Sequence, residues 1–151
     1  FPTRRSSDLD ALDLYLKAVD LDLTLGYFNA GRMQLEDGDR ENGLRNLRIA
    51  SDRGFTDADV ELACDLEGSG KLAEAEKIYL RAISADNEIA KVCYADMLLT
   101  NGRAEEGLWL LEQAAAMNIE AAYRLLAETY QGLGRISEAS KYEQLARKFE
   151  K

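Results

Sequence analysis

Four glycines recur at a spacing of 32 residues along this chain of 151 residues: Gly38, Gly70, Gly102 and Gly134. Each glycine follows a stretch with helical apolar periodicity and precedes another such stretch. This position is typical of a helix that ends in the left-handed backbone conformation, which glycine adopts without a steric cost. A fixed period of this length predicts stacked copies of one helix–turn–helix unit.

Small residues recur at the same 32-residue spacing at four further positions. Where two helices cross within about 8 to 10 Å, the contact has room only for Ala or Gly. These positions therefore predict where helices touch, and the larger apolar residues between them would fill the core. The four sets are Ala18, Ala50, Ala82, Ala114 and Ala146; Ala11, Gly43, Ala75, Gly107 and Ala139; Gly26, Ala58, Ala90 and Ala122; and Gly31, Ala63, Ala95 and Ala127.

The apolar periodicity predicts helices at about 9–21, 25–36, 40–53, 57–68, 72–84, 88–100, 104–116, 120–132 and 136–150. We expect the connections Asp86-Asn87 and Met117-Asn118 to supply helix N-cap side chains. The repeat domain would cover 10–151, with a half repeat at 10–23 and full repeats at 24–55, 56–87, 88–119 and 120–151. Residues 1–9 are similar to a translated sequencing adapter, and a polar linker is the alternative.

These sets resemble the tetratricopeptide repeat family, with some SEL-like repeat character at 50–54 and 114–118. The chain departs from the family pattern in a slightly shorter repeat and in the lack of a proline between repeats. The resemblance implies an all-α fold, a right-handed α-solenoid of antiparallel helix pairs with about 4.5 repeats. The residues that carry it are Ala11, Tyr15 and Ala18; Ala75, Tyr79 and Ala82; and Tyr123, Leu126, Ala127, Tyr130, Gly134 and Ala139.

Composition excludes several classes of function. The formal net charge of −9 argues against a nucleic-acid partner and against an anionic membrane surface. No apolar run approaches the roughly 18 to 20 residues needed to span a bilayer. The chain has no histidine, and Cys64 and Cys93 have no basic cluster beside them that would activate a thiol. We therefore expect no enzyme activity, no cofactor and no metal site, and we expect both cysteines to be small, half-buried residues.

The resemblance implies a protein-interaction scaffold, a bacterial-type adaptor whose first helices line a concave groove. Apolar and acidic residues alternate there, which favours an amphipathic, basic peptide or helix as the partner. A solvated face without a ligand is the alternative. Carried over onto this sequence, the groove residues are Phe28, Arg32, Leu35, Val60, Cys64, Glu67, Val92, Asp96, Leu99, Arg124 and Glu128.

Trp109 is an outlier, because its repeat equivalents are Asp13, Arg45, Lys77 and Lys141. This predicts a place on the convex face, either as an interface anchor or folded over neighbouring apolar residues. An anchor there would suit a second function, a C-terminal oligomerisation or docking appendage of a larger enzyme or of a secretion or assembly protein.

The two ends differ. The last helix carries Glu143 and Arg147 at positions that are apolar in other repeats, so we expect a polar end and a natural C-terminus near Lys151. The first helix lacks a pair, so we expect the chain to start in the middle of a longer protein. Homo-oligomers stay open, and a cytoplasmic location is favoured over a periplasmic one.

Overall fold

A computed structural model describes residues 6–149 of the chain, and side chains from residue 9 onward. Within this range the chain is entirely α-helical apart from turns, which confirms the predicted all-α class. All the predicted helices form, and residues 1–5 and 150–151 of the predicted terminal segments lie outside the described range. The helices are α1 (Ser6–Asp20), α2 (Thr24–Glu36), α3 (Arg40–Asp52), α4 (Thr56–Gly68), α5 (Leu72–Ser84), α6 (Glu88–Thr100), α7 (Ala104–Ala116), α8 (Glu120–Gly132) and α9 (Ile136–Ala146), followed by a 3-10 turn at Arg147–Phe149.

The four turn glycines have the predicted left-handed conformation. Their φ angles are 84° at Gly38, 74° at Gly70, 80° at Gly102 and 71° at Gly134. After each glycine, the next residue donates its N–H to the carbonyl five residues earlier, at 2.8 to 2.9 Å. This hydrogen bond closes the C-terminus of each first helix and turns the chain into the second helix.

A second set of left-handed residues was not predicted. Asp22, Gly54, Asp86 and Asn118 have φ angles of 58°, 84°, 60° and 60°, again at 32-residue spacing. The N-cap prediction is therefore wrong for Asp86 and for Met117-Asn118, and it is confirmed only for Asn87, whose side chain accepts from the Ala90 N–H at 2.9 Å. Asp and Asn suit both N-caps and left-handed turns, so their presence alone does not distinguish the two roles.

The small residues mark helix contacts, as predicted. A Cβ atom on Gly43 would lie 2.9 Å from the carbonyl oxygen of Gly31, so α2 and α3 touch backbone to backbone. A Cβ atom on Gly107 would lie 2.8 Å from the carbonyl oxygen of Ala95, which is the same contact between α6 and α7. Successive pairs touch in the same manner, since a Cβ atom on Gly26 would lie 2.6 Å from the Cβ of Ala18.

The chain divides into two compact units, unit 1 up to Ile78 and unit 2 from Tyr79 onward. Each unit has its own core of buried apolar side chains. In unit 1 this core consists of Phe28, Leu47, Ala50, Ala58 and Leu62. In unit 2 it includes Val92, Leu111, Ala114, Tyr123, Leu126 and Tyr130.

Candidate functional site

The apolar residues predicted for the groove do not form an open surface. Phe28, Val60 and Val92 are only 9%, 8% and 8% exposed, so the expectation of an accessible apolar floor is wrong. The Phe28 ring packs 4.8 Å from the ring of Phe55, measured between centroids. A core-facing helix buries a stripe about 100° wide, and these residues fall inside that stripe rather than beside it.

In unit 1, Arg32 covers the buried Phe28 and faces solvent. Its guanidinium lies 5.8 Å from the centroid of the Phe28 ring. Its Nε atom lies 3.2 Å from a carboxylate oxygen of Glu61 on α4, and Nη2 lies 3.7 Å from Glu36. Exposed pairs of this kind contribute little to stability, so the Arg32 side chain can exchange these partners for those of a ligand.

The other predicted residues of unit 1 have mixed environments. Leu35 is half-buried, because its side chain packs against the backbone of Gly43. Glu67 is half-buried as well. Cys64 is exposed, whereas we expected a half-buried thiol, and Cys93 of unit 2 is half-buried as expected.

In unit 2 the predicted positions divide in the same way. Leu99 is half-buried against Gly107, as Leu35 is against Gly43, whereas Asp96, Arg124 and Glu128 are exposed. Thus the register exposes a polar position once per repeat, and that position is Arg32, Cys64, Asp96 and Glu128 in turn.

Two of these exposed residues line a polar cavity of about 240 Å³ between α8 and α9. Arg124 and Glu128 come from α8, and Arg124 also forms an ion pair with Glu120 on its own helix. Glu143 and Arg147 face them from the C-terminal part of unit 2, and Gln131 completes the polar lining. The sequence analysis assigned Glu143 and Arg147 to a solvated end. Their four-residue spacing, matched by Arg124 and Glu128, is a signal that could have placed both pairs at one site.

Trp109 is 60% exposed, which agrees with its predicted place on the surface. It lines a separate, mainly apolar cavity of unit 2 together with residues from α5 and α6. Its role as an interface anchor stays a prediction.

Buried and paired polar groups elsewhere stabilise helix contacts. The hydroxyl of Tyr130 donates to Glu112 at 2.6 Å, and burial together with this hydrogen bond raises the pKa of Tyr130 to about 12. In unit 1, a hydrogen bond from Arg53 lowers the pKa of Asp22, and Tyr27 donates to the same carboxylate at 3.0 Å. Both groups tie one helix to the next.

Other classes of site are missing from the part of the chain that the structure covers. Among residues 6–149, no group of three or more Cys, Asp or Glu side chains could hold a metal ion. None of the helices in this range is both long enough and apolar enough to cross a membrane.

The comparisons with known proteins concern the fold. No family model matches the sequence, and no curated protein matches it either. A Sel1 repeat protein from Oxalobacter formigenes is similar in structure, with a TM-score of 0.72 and 21% identity, over 93% of this chain and 64% of that protein. This chain thus spans less than two thirds of that protein's length.

Two further solved structures have the same fold. A Podosopora anserina putative kinesin light chain with nearly identical TPR-like repeats has a TM-score of 0.67 at 17% identity, over 93% of this chain and 85% of that one. MamA has a TM-score of 0.65 at 18% identity, over 93% and 86%. The resemblance to tetratricopeptide and SEL-like repeats is thereby confirmed at the level of the fold, as is the solenoid class.

Proposed function

We propose that this chain is a protein-interaction scaffold that binds a partner peptide on the exposed side chains of its first helices. The observation that carries the proposal is the polar cavity at Arg124 and Glu128, which lies on predicted groove positions. Helices held together by close backbone contacts form a rigid surface, so little conformational entropy is lost there when a peptide binds.

The cavity predicts the chemistry of the peptide. Two guanidinium groups, of Arg124 and Arg147, and two carboxylates, of Glu128 and Glu143, line it. A peptide with a basic side chain would meet the carboxylates, and its own carboxylate would meet an arginine through charge-assisted hydrogen bonds. A basic partner thus remains favoured, whereas the apolar face expected of it has no exposed floor to contact.

Selection from a displayed random peptide library on the whole chain tests this proposal. We expect enriched peptides whose affinity falls by at least about tenfold in Glu128→Lys, because reversal of one charge turns an attraction into a repulsion. Glu74→Lys is the matched control, since Glu74 is also an exposed helical glutamate but does not line the cavity. Circular dichroism would verify that both variants fold.

The proposal fails if no peptide is enriched reproducibly. It also fails if the enriched peptides bind Glu128→Lys and Glu74→Lys equally well, since the attraction would then come from net charge alone.

A second candidate function is docking or oligomerisation, and the exposed leucines of unit 1 favour it. Leu14, Leu21 and Leu25 are 63%, 72% and 57% exposed, which is a large apolar exposure for neighbouring elements. Sedimentation velocity over a wide concentration range distinguishes the two functions. A dimer that is lost in Leu14→Glu would support oligomerisation, and a monomer at all concentrations would exclude it.

A further inference from the structure

The second cavity of unit 2 is large, mainly apolar and open on one side. It measures about 420 Å³, and cavities of about 300 to 1,000 Å³ are typical of ligand sites. Its apolar lining comes from three helices: Leu80 of α5, Tyr94 and Leu98 of α6, and Trp109 and Leu110 of α7.

The floor of this cavity is part of the core, whereas its walls are not. Leu98 and Tyr94 are 1% and 5% exposed, so the floor is closed. Trp109 and Leu80, in contrast, are 60% and 46% exposed. Two large apolar side chains left in water forgo the free energy that their burial would contribute. An apolar side chain of a partner would cover both walls and contact the floor.

The repeat register shows that this arrangement is an exception within the chain. The equivalents of Leu80 and Trp109, 32 residues apart along the register, are Leu16 and Arg45, then Arg48 and Lys77, and finally Glu112 and Lys141. At each of these other steps at least one of the two positions is charged. The fold therefore does not require apolar residues at this place, and the α5–α7 step departs from the repeat in both positions at once.

The charged groups of the lining are both acidic. Glu105 and Glu106 lie on the first turn of α7, beside the apolar walls. Arg103 neutralises part of the Glu106 charge through two hydrogen bonds of 2.8 and 2.7 Å. Among the described residues, no cation lies within ion-pair distance of Glu105.

We propose that this cavity binds one large apolar residue of a partner peptide that carries a Lys or Arg next to it. The acidic lining attracts such a residue, and the net charge of −9 favours the approach of a basic segment. A second copy of this chain fits less well. A two-fold contact would place Glu105 and Glu106 against their own copies, and like charges at an interface are unfavourable.

The chain contains one tryptophan, so the fluorescence of Trp109 reports on this cavity alone. The probes are two amphipathic helical peptides without aromatic residues, one of Leu and Lys, the other with every Lys replaced by Glu. We expect the Leu/Lys peptide to shift the Trp109 emission to shorter wavelength in a saturable manner, because the indole leaves water. The Leu/Glu peptide should bind at least about tenfold more weakly.

Two variants separate cavity binding from general charge attraction. Leu80→Ser removes one apolar wall without changing the charge, and it should weaken the Leu/Lys peptide by about tenfold. Glu105→Lys should weaken it by a similar factor and strengthen the Leu/Glu peptide. Lys141→Ala changes the Trp109-equivalent position in the last repeat and should have no effect.

Three results would overturn the proposal. The first is no shift of the Trp109 emission at any peptide concentration. The second is equal binding by wild type and Leu80→Ser. The third is a shift that depends on protein concentration without peptide, since that would assign the cavity to a second copy. Glu128→Lys should leave the Trp109 signal unchanged, so failure here and failure of the first-helix surface are distinguishable.

Discussion

The same place in the repeat is filled by polar side chains in unit 1 and by apolar or aromatic ones in unit 2. In unit 1, the buried Asn46 of α3 donates its side-chain N–H to Gln34 of α2 at 2.8 Å. At the equivalent place in the last helix pair, the rings of Tyr130 and Tyr142 stack with centroids 5.7 Å apart and planes at 10°. The register therefore determines which positions meet, whereas the chemistry of each contact varies along the chain.

The contacts between successive helix pairs differ in the same way. In unit 1, the buried hydroxyl of Ser51 on α3 donates to the carboxylate of Asp59 on α4. In unit 2, Tyr123 of α8 donates to the carbonyl of Ala115 on α7 at 2.8 Å. These two contacts occupy equivalent positions, so a buried charge in one repeat corresponds to an aromatic hydroxyl in another.

The largest expected effect concerns the contact that both units share. Gly43→Ala and Gly107→Ala should each lower the free energy of unfolding by about 1 to 3 kcal/mol, because the new methyl group would collide with a backbone carbonyl. Urea unfolding followed by circular dichroism would measure this. Gly68→Ala and Gly132→Ala are matched controls, since nothing lies within 4 Å of a Cβ atom there, and they should be neutral or slightly stabilising. Equal effects at all four sites would refute the proposed role of the small residues.

The next effect tests the difference between the units. Asn46→Leu alone should cost about 1 to 3 kcal/mol, because the buried amide of Gln34 loses its partner. Gln34→Leu combined with Asn46→Leu should restore most of this loss, since Leu98 and Leu110 occupy the equivalent positions in unit 2. A double-mutant cycle in urea measures the coupling. If the double variant is no more stable than Asn46→Leu, the two positions are not interchangeable between units.

The titration of Tyr130 should distinguish the aromatic pair of unit 2 from the amide pair of unit 1. Its pKa of about 12 lies above the ordinary value of 10.0, so the folded protein retains a proton that the unfolded chain loses. The resulting stabilisation is complete below pH 10 and is lost as the pH rises through about 12. Tyr130→Phe should lack this loss in urea unfolding measured between those pH values, whereas the Gln34→Leu and Asn46→Leu variant should retain it.

The smallest effect concerns the turn after each second helix. Gly54→Ala should cost about 1 kcal/mol, because Gly54 has a φ of 84° that alanine adopts with strain. Asp86 has a φ of 60° at the equivalent turn of the next repeat, so Asp86→Gly should be neutral or stabilise by a few tenths of a kcal/mol. Opposite signs in the two variants, measured by thermal unfolding, would support the second set of left-handed residues. A stabilising Gly54→Ala would contradict it.

The helices and turns could be predicted because a repeat supplies several aligned copies of each signal. Gly38 alone is a weak indication of a turn, but its four equivalents at one spacing are a strong one. The buried amide pair could also have been found, since Gln34 aligns with Leu66, Leu98 and Tyr130, and Asn46 with Ile78, Leu110 and Tyr142. Two polar residues aligned with apolar ones indicate a buried hydrogen-bonded pair.

The candidate site was harder to predict, for geometric reasons. Phe28, Arg32 and Leu35 share one side of a helix, but periodicity does not show which edge of that side is covered by a neighbour. Phe55, which covers Phe28, lies in a connection outside the aligned small-residue positions. The cavity at Trp109 likewise depends on the approach of α5 and α7, and the one-dimensional register does not contain that distance.

The central claim is that exposed polar side chains of the first helices bind a partner peptide. The most direct test is the dissociation constant of a library-selected peptide, measured by calorimetry for the wild type, Glu128→Lys and the Glu74→Lys control. The account predicts a loss of at least about tenfold in Glu128→Lys alone, with unchanged helical content. Equal dissociation constants for all three proteins would contradict it.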